Sequence, residues 1–146
     1  MSLESALLGV IALVIVGVLV GIVWLRRQGR ARHTSTTDAV DPAEIGVDQL
    51  GDSVTIVQFS TEVCSRCPAT RRVLSAIADS TPHASYVDVD LTHRPDLAAR
   101  FHVLQTPTTL LLDAAGVIRT RFGGPVTRPT VERELHLITG GTHAHI

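Results

Sequence analysis

Cys64 and Cys67 are the only two cysteines among 146 residues, and they stand two apart in the stretch Thr61-Glu62-Val63-Cys64-Ser65-Arg66-Cys67-Pro68. Two thiols at that spacing can act as a dithiol/disulfide couple, whereas a four-ligand zinc or iron–sulfur site needs ligands from elsewhere. The thiolate is the nucleophile in such exchange, and an anion at a helix N-terminus is stabilised by unpaired N–H groups and the helix dipole. At a strand-to-helix junction Cys64 is therefore expected to attack. Cys67, one turn inward, is expected to resolve the mixed disulfide. Arg66 between them adds positive charge that favours the thiolate wherever solvent does not screen it.

The segments around the pair predict such a junction. Residues 54–59 are β-branched and apolar and predict a buried strand ending just before the cysteines. Val73, Leu74, Ile77 and Ala78 recur at helical spacing, which predicts a helix from Cys64 or Ser65 to Ala78, stopped at Ser80-Thr81-Pro82. Pro68 would lie in its second turn, where the missing N–H predicts a small distortion. Residues 85–90 alternate like a second strand, and 94–101 fit a short helix with Pro95 in its first turn. Residues 108–113 and 117–122 predict a hairpin turned at Gly116 and closed by Gly123-Gly124. A last amphipathic helix is expected from Thr127, its cap, to Ile138, with Gly140-Gly141 beyond its end. The order is β-α-β-α-β-β-α, with a weak element near 45–50 in front.

Composition would be ordinary for a globular chain, at 45% hydrophobic and 18% charged, were it evenly spread. It is not: residues 5–25 carry no charged side chain, and as a helix they are about 30 Å long, the thickness of a bilayer core. A cleaved signal peptide wants a basic start, a shorter apolar core and a small-residue cleavage site, whereas this segment starts Met1-Ser2-Leu3-Glu4 and is followed by Arg26, Arg27, Arg30 and Arg32. Residues 1–25 are thus expected to be a retained single-pass anchor. The arginines place the soluble part on the cytoplasmic side of the cell membrane, with Trp24 at the headgroup level. Gly17 and Gly21 form a G-x-x-x-G spacing through which two such helices could dimerise. Residues 26–44 lack apolar periodicity and read as a flexible juxtamembrane linker, 45–139 as the domain, and 140–146 as a disordered tail. A net charge of −1 without a basic aromatic surface argues against nucleic acid as a partner.

Three features in order resemble the thioredoxin family over roughly residues 45–138. C-x-x-C follows a buried strand and opens a helix. Gln105-Thr106-Pro107-Thr108 follows some forty residues later, similar to the family's X-cis-Pro-Thr loop. Phe122-Gly123-Gly124 closes the hairpin before the last helix, like the family's third substrate-lining loop. The resemblance implies an α/β fold, a three-layer sandwich on a mixed central sheet, here preceded by the single transmembrane helix. It also implies a cis Pro107 that sets the Thr106 backbone opposite Cys64, with Val63, Thr106, Pro107 and Gly123 lining the substrate groove. Protein disulfides would be the substrates, a thiol/disulfide donor or acceptor would complete the electron flow, and no metal or cofactor is implied.

Three positions depart from the family pattern. Val63 stands where a tryptophan usually precedes the first cysteine, Ser65-Arg66 where Gly-Pro usually lies, and Gln58 where a buried aspartate usually sits. A carboxylate could carry the resolving thiol's proton, but a glutamine can only hydrogen-bond, so resolution near neutral pH is expected to be slower. A stabilised Cys64 thiolate favours the reduced form and hence a more oxidising couple.

Other residues read as surface or structure. His83, His93, His102, His143 and His145 could suggest metal, but a solvated tail accounts for the last two. Asp88, Asp90 and Asp96 read as strand-end and cap residues. Two further function classes stay open: a docking module with little thiol turnover, and a dimeric metal or iron–sulfur site in which two chains each donate Cys64 and Cys67.

Overall fold

The computed structural model describes residues 3–34 and 39–142. Helix α1 (Leu3–Arg27) runs unbroken. It is long and apolar enough to cross a membrane, and its large apolar side chains from Leu7 to Leu25 lie exposed rather than inside the domain.

The domain is built on β2 (Val54–Ser60), every residue of which is buried. Around it lie β1 (Ala31–His33), β3 (Ala84–Asp90), β4 (Thr108–Asp113) and β5 (Ile118–Gly123), in the sheet order β1-β5-β4-β2-β3. Only β2 and β3 are parallel; the other pairs are antiparallel, so the sheet is mixed. Helices α2 (Cys67–Ser80) and α4 (Arg128–Thr142) cover one face, and α3 (Pro95–Arg100) the other. Both faces of β2 are therefore covered, which is why residues 54–59 show no polar alternation. Ile56 packs with Leu74, Ile77 and Val131 on one side, while Val57 and Phe59 join Leu97, Phe101 and Leu110 on the other. Phe59 and Phe101 stack tilted, with ring centroids 5.2 Å apart. This is the expected three-layer α/β arrangement.

The elements depart from the sequence reading in three places. Helix α2 starts at Cys67 rather than at Cys64, so Pro68 falls in the first turn, where its N–H would lack a partner anyway and no distortion follows. Helix α4 continues past Ile138 to Thr142, since a glycine costs a helix only about 1 kcal/mol and no proline follows to stop it.

The third departure concerns residues 26–44, read as a flexible linker. Ala31–His33 form an edge strand on β5, with Ala31 opposite Phe122 and His33 opposite Thr120. Asp41 and Glu44 make a capping box on a 3-10 turn at Pro42–Ile45. Val40 is buried, and its N–H donates to the Gly116 carbonyl at 2.9 Å. Ala-Arg-His has no apolar alternation to betray a strand; backbone pairing along the open edge of β5 holds it. The expected disordered tail begins inside α4 and ends at residues 143–146, outside the described residues.

Candidate active site

Strand β2 delivers the chain to the cysteines through a tight turn. The Cys64 N–H donates to the Thr61 carbonyl at 3.1 Å, and the Cys67 N–H donates to the Cys64 carbonyl at 3.3 Å. The two sulfurs are bonded to each other. Cys64 is partly exposed on the turn, whereas Cys67 is buried at the first residue of α2. The inequality arises because the turn projects outward while the helix start packs onto the sheet. One cysteine is partly open to solvent and the other is covered.

The floor beneath Cys67 is polar but uncharged. Buried Gln58 donates its Nε2–H to the Cys67 carbonyl at 3.1 Å and accepts the Tyr86 hydroxyl on Oε1 at 2.9 Å. Burial, then the nearby Asp88 carboxylate, push Tyr86 up to about 12, only partly offset by Arg71. Tyr86 is therefore a neutral donor at physiological pH. Asp88 pairs with Arg71 and accepts the Ser60 hydroxyl at 2.7 Å, which ties α2, β2 and β3 together beside this floor.

The 102–107 loop closes the site from the other side. Thr106-Pro107 is cis, and Pro107 is buried. The Thr61 and Thr106 hydroxyls meet at 3.3 Å, joining the segment before Cys64 to the proline loop. The Gly124 N–H donates to the Pro107 carbonyl at 2.8 Å, and Gly123 stands opposite Thr108 in the β4–β5 register. A Cβ on Gly123 would lie 2.7 Å from Gln105 Nε2. Arg121 braces the loop by donating to the Phe101 and His102 carbonyls at 2.7 and 3.5 Å. Cys64, Cys67, Thr106, Pro107 and Gly123 are thus connected by these bonds, and Val63 stands 93% exposed at the rim.

Several neighbours of the site carry no motif in the sequence. Gln28 accepts from Arg66 Nη1 at 3.4 Å, and the Gly29 N–H donates to the Gly123 carbonyl at 2.9 Å. Both lie directly after α1. Leu104, the loop's apolar tip, is 96% exposed. The apolar pair Val103-Leu104 ahead of Gln105-Thr106 is the one readable signal.

The remaining candidates are placed elsewhere. His83 lies 3.8 Å from Asp52, His93 and His102 are exposed, and His143 and His145 fall outside the described residues. Asp90 accepts from the Thr92 N–H at 2.8 Å, and Asp96 pairs with Arg94. Among the described residues no cluster of three or more His, Cys, Asp or Glu is gathered for a metal.

Comparison with known proteins adds to this geometry. The family model described as Thioredoxin matches residues 44–136. The thioredoxin of Chlamydia trachomatis serovar D is 30% identical over 64 residues, covering 44% of this chain and 63% of the relative, so the match spans less than two thirds of that relative's length. Among solved structures, a mutant thioredoxin from Halobacterium salinarum NRC-1 superposes with a TM-score of 0.55 at 20% identity, over 60% of this chain and 76% of that one. Chloroplastic thioredoxin z does so with a TM-score of 0.56 at 22% identity, over 62% and 81%. The Fasciola hepatica thioredoxin gives 0.53 at 20%, over 60% and 83%. At these identities the structural likenesses speak for the fold.

Proposed function

The chain belongs to the thioredoxin family, and on that basis we propose that it is a membrane-tethered thiol-disulfide oxidoreductase acting on protein disulfides through Cys64 and Cys67. The observation that carries the reading is the bonded pair with one sulfur accessible and the other buried. In the reduced chain the Cys64 thiolate attacks a partner's disulfide, forming a Cys64–partner bond and releasing one partner thiolate. The Cys67 thiolate then attacks the Cys64 sulfur, closing the Cys64–Cys67 bond and releasing the second partner thiolate. Two electrons pass to the partner, and a thiol donor restores the dithiol. Run backward, the same steps oxidise a partner dithiol.

Val63, Thr106, Pro107 and Gly123 form the proposed groove. An extended partner strand would pair with the Thr106 backbone, and apolar side chains would rest on Val63. The Gly123 carbonyl already accepts from Gly29, so partner pairing on this side falls to Thr106.

The anchor reading is supported by α1, which exposes its apolar side chains and ends in Arg26 and Arg27. By the positive-inside rule the domain faces the cytoplasm, where thiols are kept reduced and the protein would act as a reductant. Dimerisation through Gly17 and Gly21 is compatible with the open space around both positions. Reduction of insulin disulfides by the full chain in detergent, coupled to a dithiol donor, tests the activity. Cys64→Ser should abolish turnover, and thiol-independent or absent turnover in the parent would point to a docking module instead. A reporter fused after Ile146 tests the orientation.

A further inference from the structure

The short connection between α1 and the active site limits where the redox centre can go. Only Gln28 and Gly29 separate Arg27 from the Gly123 carbonyl, and two extended residues span at most about 7 Å. Gly29 adopts φ +71°, and a Cβ there would lie 2.5 Å from the Pro125 carbonyl oxygen, so this corner is closely fitted to the domain. Gln28, the first residue past the helix, meets Arg66 between the two cysteines.

A cavity of about 620 Å³ lies in the same corner. Trp24 and Arg27 of α1 line it on one side, and Leu104 and Gln105 of the proline loop on the other. Arg30, Arg32, Arg100 and Arg121 complete a strongly basic wall, and no acidic side chain lines it among the described residues. Arg100 is offset by Glu44, but Arg27, Arg30 and Arg32 meet no carboxylate among the described residues. Leu104 projects from this basic rim almost fully exposed.

We infer that this face docks on the anionic headgroup layer of the bilayer that holds α1, with Leu104 dipping into the interface and the arginines on lipid phosphates, so that Cys64 works at the membrane surface. The inference rests on the proposed anchor. The occupant is lipid because the surface is continuous with α1: Trp24 belongs at headgroup depth, and it shares a cavity wall with Leu104. Arginines are drawn to the phosphates of an anionic leaflet, and an apolar tip among basic residues is the composition that interfaces favour. The partner disulfide must then be presented close to the bilayer, as a membrane protein or a lipid-bound segment would present it.

Depth-dependent quenching tests this in the full chain. In a Cys64→Ser, Cys67→Ser background, a fluorophore on Leu104→Cys is compared with one on Ala114→Cys, which sits beyond the far end of β4, about 20 Å away along the strand. The protein is reconstituted in phosphatidylglycerol nanodiscs carrying a headgroup spin label. The Leu104 position should be quenched several-fold more than the Ala114 position, and Gly29→Val should reduce that difference. In the unmodified chain, hydrogen exchange at Leu104 and Gln105 should be slower in the nanodiscs than in detergent, with Ala114 unchanged. Equal quenching and unchanged exchange in a chain that floats with liposomes would overturn the docking alone. A chain that does not float would overturn the anchor and the docking together.

Discussion

Gln58 lies beneath Cys67 and donates its side-chain N–H to the Cys67 carbonyl at 3.1 Å. Where the resemblance to thioredoxins implies a buried carboxylate, this chain holds a neutral amide that joins the Cys67 carbonyl to the Tyr86 hydroxyl. Gln58→Asp should place a titratable group under Cys67 and add an inflection to the pH profile of disulfide exchange. An unchanged profile would remove Gln58 from the account of resolution. Gln58→Leu should instead destabilise the fold by about 1–3 kcal/mol, because the Cys67 carbonyl and Tyr86 hydroxyl each lose a partner. Urea unfolding of the oxidised protein reads this.

Tyr86 is the chain's only tyrosine, so its phenolate absorbance reports one site. Held up at about 12, it should stay neutral well past the usual 10. A raised folded value gives stability that is fully present below pH 10 and is lost as pH rises through about 12, because the unfolded chain releases its proton first. For this half-buried group the loss should be about 1 kcal/mol after solvent screening. Tyr86→Phe should flatten that stretch of the stability curve.

Gly29→Val should detach β1 from β5. The new Cβ meets backbone at 2.5 Å in a left-handed conformation, a strain of about 1–3 kcal/mol that three edge residues cannot absorb. Faster hydrogen exchange at Ala31–His33, with α2 and β2 unaffected, is the expected result.

The packing between α2 and the sheet rests on Leu74, which is fully buried. Leu74→Ala should cost about 2–5 kcal/mol in thermal or chemical unfolding. It should also loosen the helix that begins at Cys67.

The core of the domain and its cysteine pair were legible in the sequence because each left a pattern. Residues 54–59 are rich in β-branched and apolar side chains, and Gly116 sits in the turn with φ +77° as the hairpin requires. The start of α2 is not legible, because Ser65 and Arg66 fit a helix as well as a turn and Arg66 makes no side-chain cap. Strand β1 was invisible, since Ala31, Arg32 and His33 have no alternation and their register comes from β5. The contacts of Gln28 and Gly29 with Arg66 and Gly123 depend on that register, so they could not be read either. The role of Tyr86 leaves no mark in the sequence, because its partner, Gln58, is distant in the chain and joined to it only by the β2–β3 pairing.

The most direct test of the assigned chemistry is capture of the mixed disulfide. The reduced Cys67→Ser chain, offered a protein disulfide substrate, should accumulate a covalent adduct through Cys64 that a reductant releases, while reduced Cys64→Ser should form none. Adducts forming equally through either cysteine, or through neither while the parent still turns over, would contradict the division of labour in which Cys64 attacks and Cys67 resolves.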